Sequence, residues 1–319
     1  MNKELFVQKA AALTKDALSQ KGIDVDVEVN SVIKANDREY TGLCFHRDGQ
    51  ASAPVFYLDD AYELDKDGDH LNEYVGDLVE AFERADGNRP VQKTEDIDLD
   101  RMKDRLSVMV LDPSLNQKYL SDKVWMATGD GLALVCDVEM RSDKDVWFAV
   151  VTKEQLIMSD MGKEELFRTA IQNAERNDAA SLIPLDALVG LGEPADLLGD
   201  GSYAAPMGVS SPMVLSTRSK YFGSVAMYYE GVQKRIAEVL GEGYYALPSS
   251  RHEFIIVPDS FEPDREGLLR MVRDANDTVV SDGDKLSYRV FHYEKERERL
   301  VGFDGPEKNA VRDLAAERG

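Results

Sequence analysis

The densest cluster of chemically capable side chains is Pro248-Ser249-Ser250-Arg251-His252-Glu253. A hydroxyl, an imidazole and a carboxylate are the groups from which nucleophilic and general acid–base sites are assembled. Ser249, Ser250, His252 and Glu253 are therefore the candidate catalytic residues. The run Glu253–Val257 reads as a strand, however, and neighbours on a strand point to opposite faces, so His252 is poorly placed to orient on Glu253. The competing reading is a turn whose serines satisfy backbone groups.

Other motifs start and stop short. His252-Glu253 opens a zinc-helix pattern, but Ile256 stands where the second histidine must fall. Asp65-Lys66-Asp67-Gly68-Asp69 resembles the start of a calcium loop, yet the positions that need glycine and a bidentate glutamate hold His70 and Gly76. A solvated turn capping the next helix is the expected role there, with weak divalent-ion binding as the alternative. There is no dinucleotide fingerprint, P-loop or nucleophile elbow. His46, His70, His252 and His292 are too far apart in sequence to pair as ligands, and Cys44 and Cys136 form no CxxC. Neither a metal nor a cofactor is expected, and the two thiols read as buried and free.

Charge is the other informative feature. The net charge is −22, and it is graded: residues 1–100 hold 23 acids against 11 bases, residues 101–200 hold 18 against 11, and residues 201–319 hold 19 against 16. Between Asp59 and Asp86 there are eleven carboxylates against Lys66 and Arg84. Such a field repels phosphate backbones and anionic lipid, which argues against direct nucleic-acid or membrane binding. It favours a basic protein partner. Asp59, Asp60, Glu63, Asp69, Glu73, Asp77, Glu80 and Glu83 are the candidate interaction residues, and an ordinary solvated helix face is the plain alternative.

The elements that must carry these residues can be read from periodicity. Residues 3–21 predict a helix with Phe6, Ala10, Leu13 and Ala17 inward and Gly22 as its stop. Ile23, Val25, Val27 and Val29 alternate with polar residues as a half-wet strand. Further strands fall near Glu39–Arg47 and Ala53–Leu58 around a turn at Asp48-Gly49, and a helix over Asp69–Asp86 turns Leu71, Tyr74, Val75, Leu78, Val79 and Phe82 inward. Residues 87–98 read as a linker. Beyond it the pattern predicts a short helix near Asp100–Arg105 and strands at Ser107–Leu111, Val124–Ala127, Leu132–Glu139 and Val146–Val151. A helix over Lys163–Glu175, with Asp160 as its cap, precedes a long loop over 186–211. A strand at Met213–Thr217, a single helix over Ser224–Leu240, a helix opening at Pro263 and a strand at Tyr288–Tyr293 complete the reading, with a charged surface tail from Glu294. The N-terminal MNKELFVQKAAALTKDAL lacks an apolar core and no stretch reaches 18 apolar residues, so neither a signal peptide nor a membrane span is expected, and the expected compartment is the cytoplasm.

The segments Thr41–Glu63, Glu164–Ala174 and Tyr244–Asp259, with the helix before the last, resemble the uncharacterised bacterial family called domain of unknown function 5688. The resemblance covers nearly the whole chain up to about Glu294. It implies a source among gut-dwelling bacteria and carries no assigned activity.

The expected architecture is α+β: an acidic α-β-β-β-α module over 1–88, a larger mixed domain with mostly antiparallel sheet over 99–298, and a charged tail over 299–319. The leading expectation is a non-enzymatic protein-binding, inhibitor or decoy role towards a basic partner, such as a nucleic-acid-handling enzyme. The alternatives are an enzyme of unfamiliar type with its site near Ser249–Glu253, and a structural or assembly component whose 186–211 loop orders on a partner.

Overall fold

The computed structural model describes residues 1–46, 55–86, 97–141, 146–191, 196–199 and 211–304. The chain divides into two compact units, Met1–Ile97 and Asp98–Gly319. Every strand pairing among the described residues is antiparallel.

In the first unit, helix α1 (Lys3–Gln20) is capped by Asn2, whose side chain accepts from the Leu5 N–H at 2.9 Å, and Gly22 at φ +73° lets the chain leave it. The buried stripe is Phe6, Ala10, Thr14 and Leu18, rotated slightly from the expected one, with Leu13 and Ala17 only partly covered. Strands β1 (Asp26–Lys34), β2 (Arg38–His46) and β3 (Val55–Tyr57) form a three-stranded meander. Val29, expected inward, is 49% exposed, because β1 runs past the core. A short helix α2 (Asp59–Leu64), too brief to show a period, precedes α3 (Leu71–Asp86). Leu71, Val75, Leu78, Val79 and Phe82 are buried on α3, and Phe82 stacks on Phe45 of β2 at 4.8 Å. The expected Asp48-Gly49 turn and most of the 87–98 linker lie outside the described residues.

In the second unit, one sheet is centred on β6 (Ala133–Arg141). It pairs on one edge with β4 (Leu106–Leu111) and on the other with β5 (Trp125–Ala127) and then β7 (Val146–Val150). A short helix α4 (Lys153–Ile157), closed by a capping box between Thr152 and Gln155, leads to α5 (Lys163–Asn177), which packs on β4. A six-stranded sheet follows, with the order β13-β12-β10-β11-β9-β8. Its strands are β8 (Ala180–Pro184), β9 (Met213–Thr217), β10 (Tyr244–Ser250), β11 (Glu253–Pro258), β12 (Val290–Glu294) and β13 (Arg299–Phe303). Its helices are α6 (Leu185–Leu188), α7 (Val232–Leu240) and α8 (Arg265–Thr278).

Several elements differ from their expected form. The residue at the start of α5 is Gly162, with no side-chain cap, while the Asp160 N–H is held by the Asp100 carboxylate at 3.0 Å. The single helix expected over Ser224–Leu240 is a 3-10 stretch, Gly223–Tyr228, and then α7, separated where Gly231 takes φ +73°. The last helix begins at Arg265, capped by Asp264 rather than opened by Pro263. Residues Arg299–Phe303, expected as tail, form edge strand β13, and β8 and β10 have no counterpart in the periodicity reading. In the expected 186–211 loop, α6 opens the segment and Asp196 ties it to β8 by accepting from the Leu182 N–H at 3.0 Å, whereas 192–195 and 200–210 lie outside the described residues.

Candidate functional site

The Ser249–Glu253 cluster spans the end of β10, a turn at Arg251 and His252 and the first residue of β11, with a register shift between Pro248 and Ser250. Its groups divide into separate pairs. The Ser249 hydroxyl donates to Glu253 Oε1 at 3.0 Å, and Ser250 Oγ accepts from the His252 N–H at 3.0 Å. His252 looks elsewhere: Nδ1 accepts from the Phe222 N–H at 3.1 Å, and Nε2 faces Asp284 Oδ1 at 3.3 Å. An imidazole accepting through Nδ1 carries its hydrogen on Nε2, so the neutral ring donates to Asp284. Burial alone would raise Asp284, but the Ser281 hydroxyl, Arg251 and His252 outweigh it and hold the carboxyl below its ordinary value. The Arg251 guanidinium lies 3.5 Å from Asp284 and 4.7 Å above the Phe222 ring.

The turn is also latched from behind. Ser224 Oγ donates to the Arg251 carbonyl and Ser216 Oγ to the His252 carbonyl, both at 2.7 Å. Gly223 passes so close that a Cβ there would lie 2.1 Å from Ser216 Oγ and 2.6 Å from the His252 carbonyl oxygen. The strap leading into it is strained, since Lys220 (φ +61°) and Phe222 (φ +50°) are both non-glycine residues in the left-handed region. Such residues cost of order 1–3 kcal/mol each and persist where their surroundings over-determine them. Here Asp178 holds Ser219 through its N–H at 2.9 Å and its hydroxyl at 2.5 Å, and His252 holds Phe222.

The strap forms one wall of a cavity of about 250 Å³. Its floor follows from strand register. Asp137 on β6 is paired with Ser107 on β4, and Glu139, two residues on and therefore on the same face, is paired with Phe148 on β7. All four line the cavity, facing Thr217, Tyr221, Phe222 and Tyr229. Phe148 stacks on Tyr221 at 5.7 Å, and Tyr221 meets Phe222 at 4.3 Å, so the aromatic wall continues to His252, whose ring lies within 3° of parallel to Phe222.

Asp137 is the exceptional group. It is 1% exposed, and its Oδ1 is buried with no hydrogen-bond partner. Burial, aided by the Glu139 charge, pushes its carboxyl up to about 8, so it is mostly protonated at neutral pH. Thr217 Oγ1, in another residue that lines the cavity, is likewise buried and unpartnered. Tyr119 is raised mainly by burial, with Asp137 adding to the shift and Arg251 opposing it, so it lies within the field of both. A neutral buried carboxyl can donate a hydrogen bond, and once ionised it is a strong acceptor for a cation.

Asp137, Thr217, Tyr221, Phe222 and Asp284 escaped the motif reading. One signal was present: Asp137 interrupts the apolar run Leu132–Val138, where a central strand has no solvent for a charge. Of the acidic row, Asp60, Glu63, Asp69, Glu73, Asp77, Glu80 and Glu83 are exposed. Asp59 is internal instead, pairing with Lys3 Nζ at 2.7 Å and accepting from the Thr41 N–H at 2.9 Å. Glu63, Glu73, Glu80 and Glu83 have partners in Lys66, His70, Arg84 and Lys21, whereas Asp60, Asp69 and Asp77 form no ion pair among the described residues. Asp65 caps the turn before α3, accepting from the N–H groups of Gly68, Asp69 and His70. Each histidine faces a carboxylate, His46 with Glu28 and His292 with Asp259 completing the set, and no group of three or more His, Cys, Asp or Glu among the described residues is arranged to hold a metal ion. No helix among the described residues is long and apolar enough to cross a membrane.

Fold and site together define an antiparallel α+β protein in two units, the second enclosing an acidic cavity with an aromatic wall. The model of a family of unknown function, DUF5688, matches residues 3–295, and the chain belongs to that family. No curated protein and no solved structure matches it.

Proposed function

We propose that the second unit binds a small molecule in the Asp137 cavity and that Asp137 exchanges a proton or a hydrogen bond with it. The observation that carries this reading is the pair of buried, unpartnered oxygens, Asp137 Oδ1 and Thr217 Oγ1, belonging to two residues that line one cavity. A buried polar group without a partner costs roughly 1–3 kcal/mol, and stability is commonly given up in this way where a ligand supplies the missing partner. The reading is nearest to the enzyme alternative, but it moves the centre from the Ser249–Glu253 hydroxyls to a carboxyl on the adjoining sheet. The test is Asp137→Leu in the full chain. The variant is expected to melt at a higher temperature than the wild type and to lose the ligand-induced rise in melting temperature that a metabolite library gives the wild type. A lower melting temperature with ligand response intact would refute it.

A second reading concerns the first unit, where Asp60, Asp69 and Asp77 stand exposed without ion pairs among the described residues, and Leu64 is 89% exposed. We infer a contact surface for a basic protein partner. Reversing those three aspartates to lysine should abolish a salt-sensitive interaction recovered from the native host, and unchanged retention at every salt concentration would exclude the surface.

A further inference from the structure

The chemistry of the cavity wall narrows the ligand class, on the assumption that the ligand-binding reading above holds. Three carboxyl groups, Asp137, Glu139 and Asp178, line the cavity against one cation, Arg105, which is exposed at the rim. An anionic ligand would meet a field of its own sign. A ligand ammonium or amidinium would complete the orphaned Asp137 Oδ1, and Thr217 Oγ1 could accept a second N–H from it. The aromatic wall of Phe148, Tyr221 and Phe222 adds ring faces, which attract cations and cover apolar bodies. At about 250 Å³ the space lies just below the usual range for ligand pockets, about 300–1,000 Å³, and suits a small ligand.

We infer that the cavity is a site for a small organic cation, an amine or amidine on an apolar body, with its charge on Asp137 and its body against Tyr221 and Phe148. Binding then requires Asp137 as the carboxylate, so the proton it carries at neutral pH leaves to solvent. The charged and titratable groups around that step are Glu139 on its own strand, Arg105 beside β4, Asp178 at the end of α5, and Tyr119 and Tyr229, with Arg251 acting on Tyr119.

The experiment is calorimetric titration of the full chain at neutral pH with three probes of one skeleton: benzamidine, benzamide and benzoate. Benzamidine is expected to bind at least tenfold tighter than benzamide, with benzoate weakest, and its apparent heat should change between buffers of different ionisation enthalpy because a proton is released. Tyr221→Ala, at a half-exposed position that tolerates truncation, should weaken benzamidine several-fold without altering the fold. Benzamide or benzoate binding as tightly as benzamidine would overturn the cation assignment and leave the ligand-binding reading standing. Absence of binding by all three at millimolar concentration would overturn the assignment, and the ligand-binding reading falls with it only if Asp137→Leu also fails to raise the melting temperature.

Discussion

The ring of His252 lies parallel to that of Phe222, 5.7 Å away, while its Nδ1 accepts the Phe222 backbone N–H at 3.1 Å. One side chain therefore holds a neighbouring strap in the left-handed region by two means, a hydrogen bond and a ring stack. His252→Ala removes both and leaves the Phe222 N–H to find water. A loss of about 2 kcal/mol is expected, combining a net hydrogen bond with an aromatic pair. Urea denaturation of the variant measures it, and Ser249→Ala, whose side-chain partner among the described residues is Glu253, should cost under about 1 kcal/mol.

Asp137 sets a pH dependence of definite sign. Its folded value of about 8 lies above the unfolded value of about 3.9, so between those limits the native state binds the extra proton. Stability then falls as pH rises through that window, by at most about 1.4 kcal/mol per unit, and flattens above it. Asp137→Asn removes the titration while keeping the shape. The stability difference between variant and wild type should grow from pH 5 to pH 7.5 and level off beyond about pH 8. A difference independent of pH would mean that Asp137 is ionised throughout.

Elements with long periods were legible in the residues and short or hidden ones were not. The stripe of α3 and the apolar run of β6 survive because many side chains in each element are buried in a core. Strand β8 has five residues, and β10, whose proline and serines read as a turn, forms a strand because β11 and β12 supply partners on both sides. Strand β13 carries arginine and glycine and is stabilised by its pairing with β12, which no local window contains. The cavity was least legible for the same reason. Asp137 lies far in sequence from Thr217 and Tyr221, and only the meeting of two sheets brings it to them. What could be seen locally was an acid inside an apolar strand, and its weight as a signal depends on knowing that both edges of β6 are paired.

Gly223 and Gly76 should respond to alanine in opposite directions. At Gly223 the new methyl meets Ser216 Oγ, the His252 carbonyl and the Thr217 nitrogen, all within 2.6 Å, and two of these are backbone atoms that cannot turn away. Gly223→Ala should destabilise by about 3 kcal/mol and loosen the strap over the cavity. Gly76 lies mid-helix in α3, exposed, and a Cβ placed there would have nothing within 4 Å. Gly76→Ala should stabilise by about 0.5–1 kcal/mol by narrowing the unfolded ensemble. Thermal melts of the two single variants check both signs.

Asp59 and Asp60 are adjacent acids at the start of α2 whose roles differ completely. Asp59 bridges Lys3 of α1 and the Thr41 N–H of β2, with a side chain 18% exposed, so its carboxylate joins three elements of the first unit. Asp60 is exposed and forms no ion pair among the described residues. Asp59→Ala leaves the Thr41 N–H half-buried without an acceptor and should cost about 1–2 kcal/mol, the exposed Lys3 end adding little because solvent screens it. Asp60→Ala should change stability by less than about 0.5 kcal/mol, since it loses only a favourable charge near a helix N-terminus. The same pair separates stability from recognition. If the acidic surface binds a basic partner, Asp60→Ala weakens that complex at unchanged melting temperature, whereas Asp59→Ala lowers the melting temperature and affects the complex only through unfolding. A partner lost with Asp59→Ala and retained with Asp60→Ala, both measured below their melting transitions, would remove the acidic face from consideration.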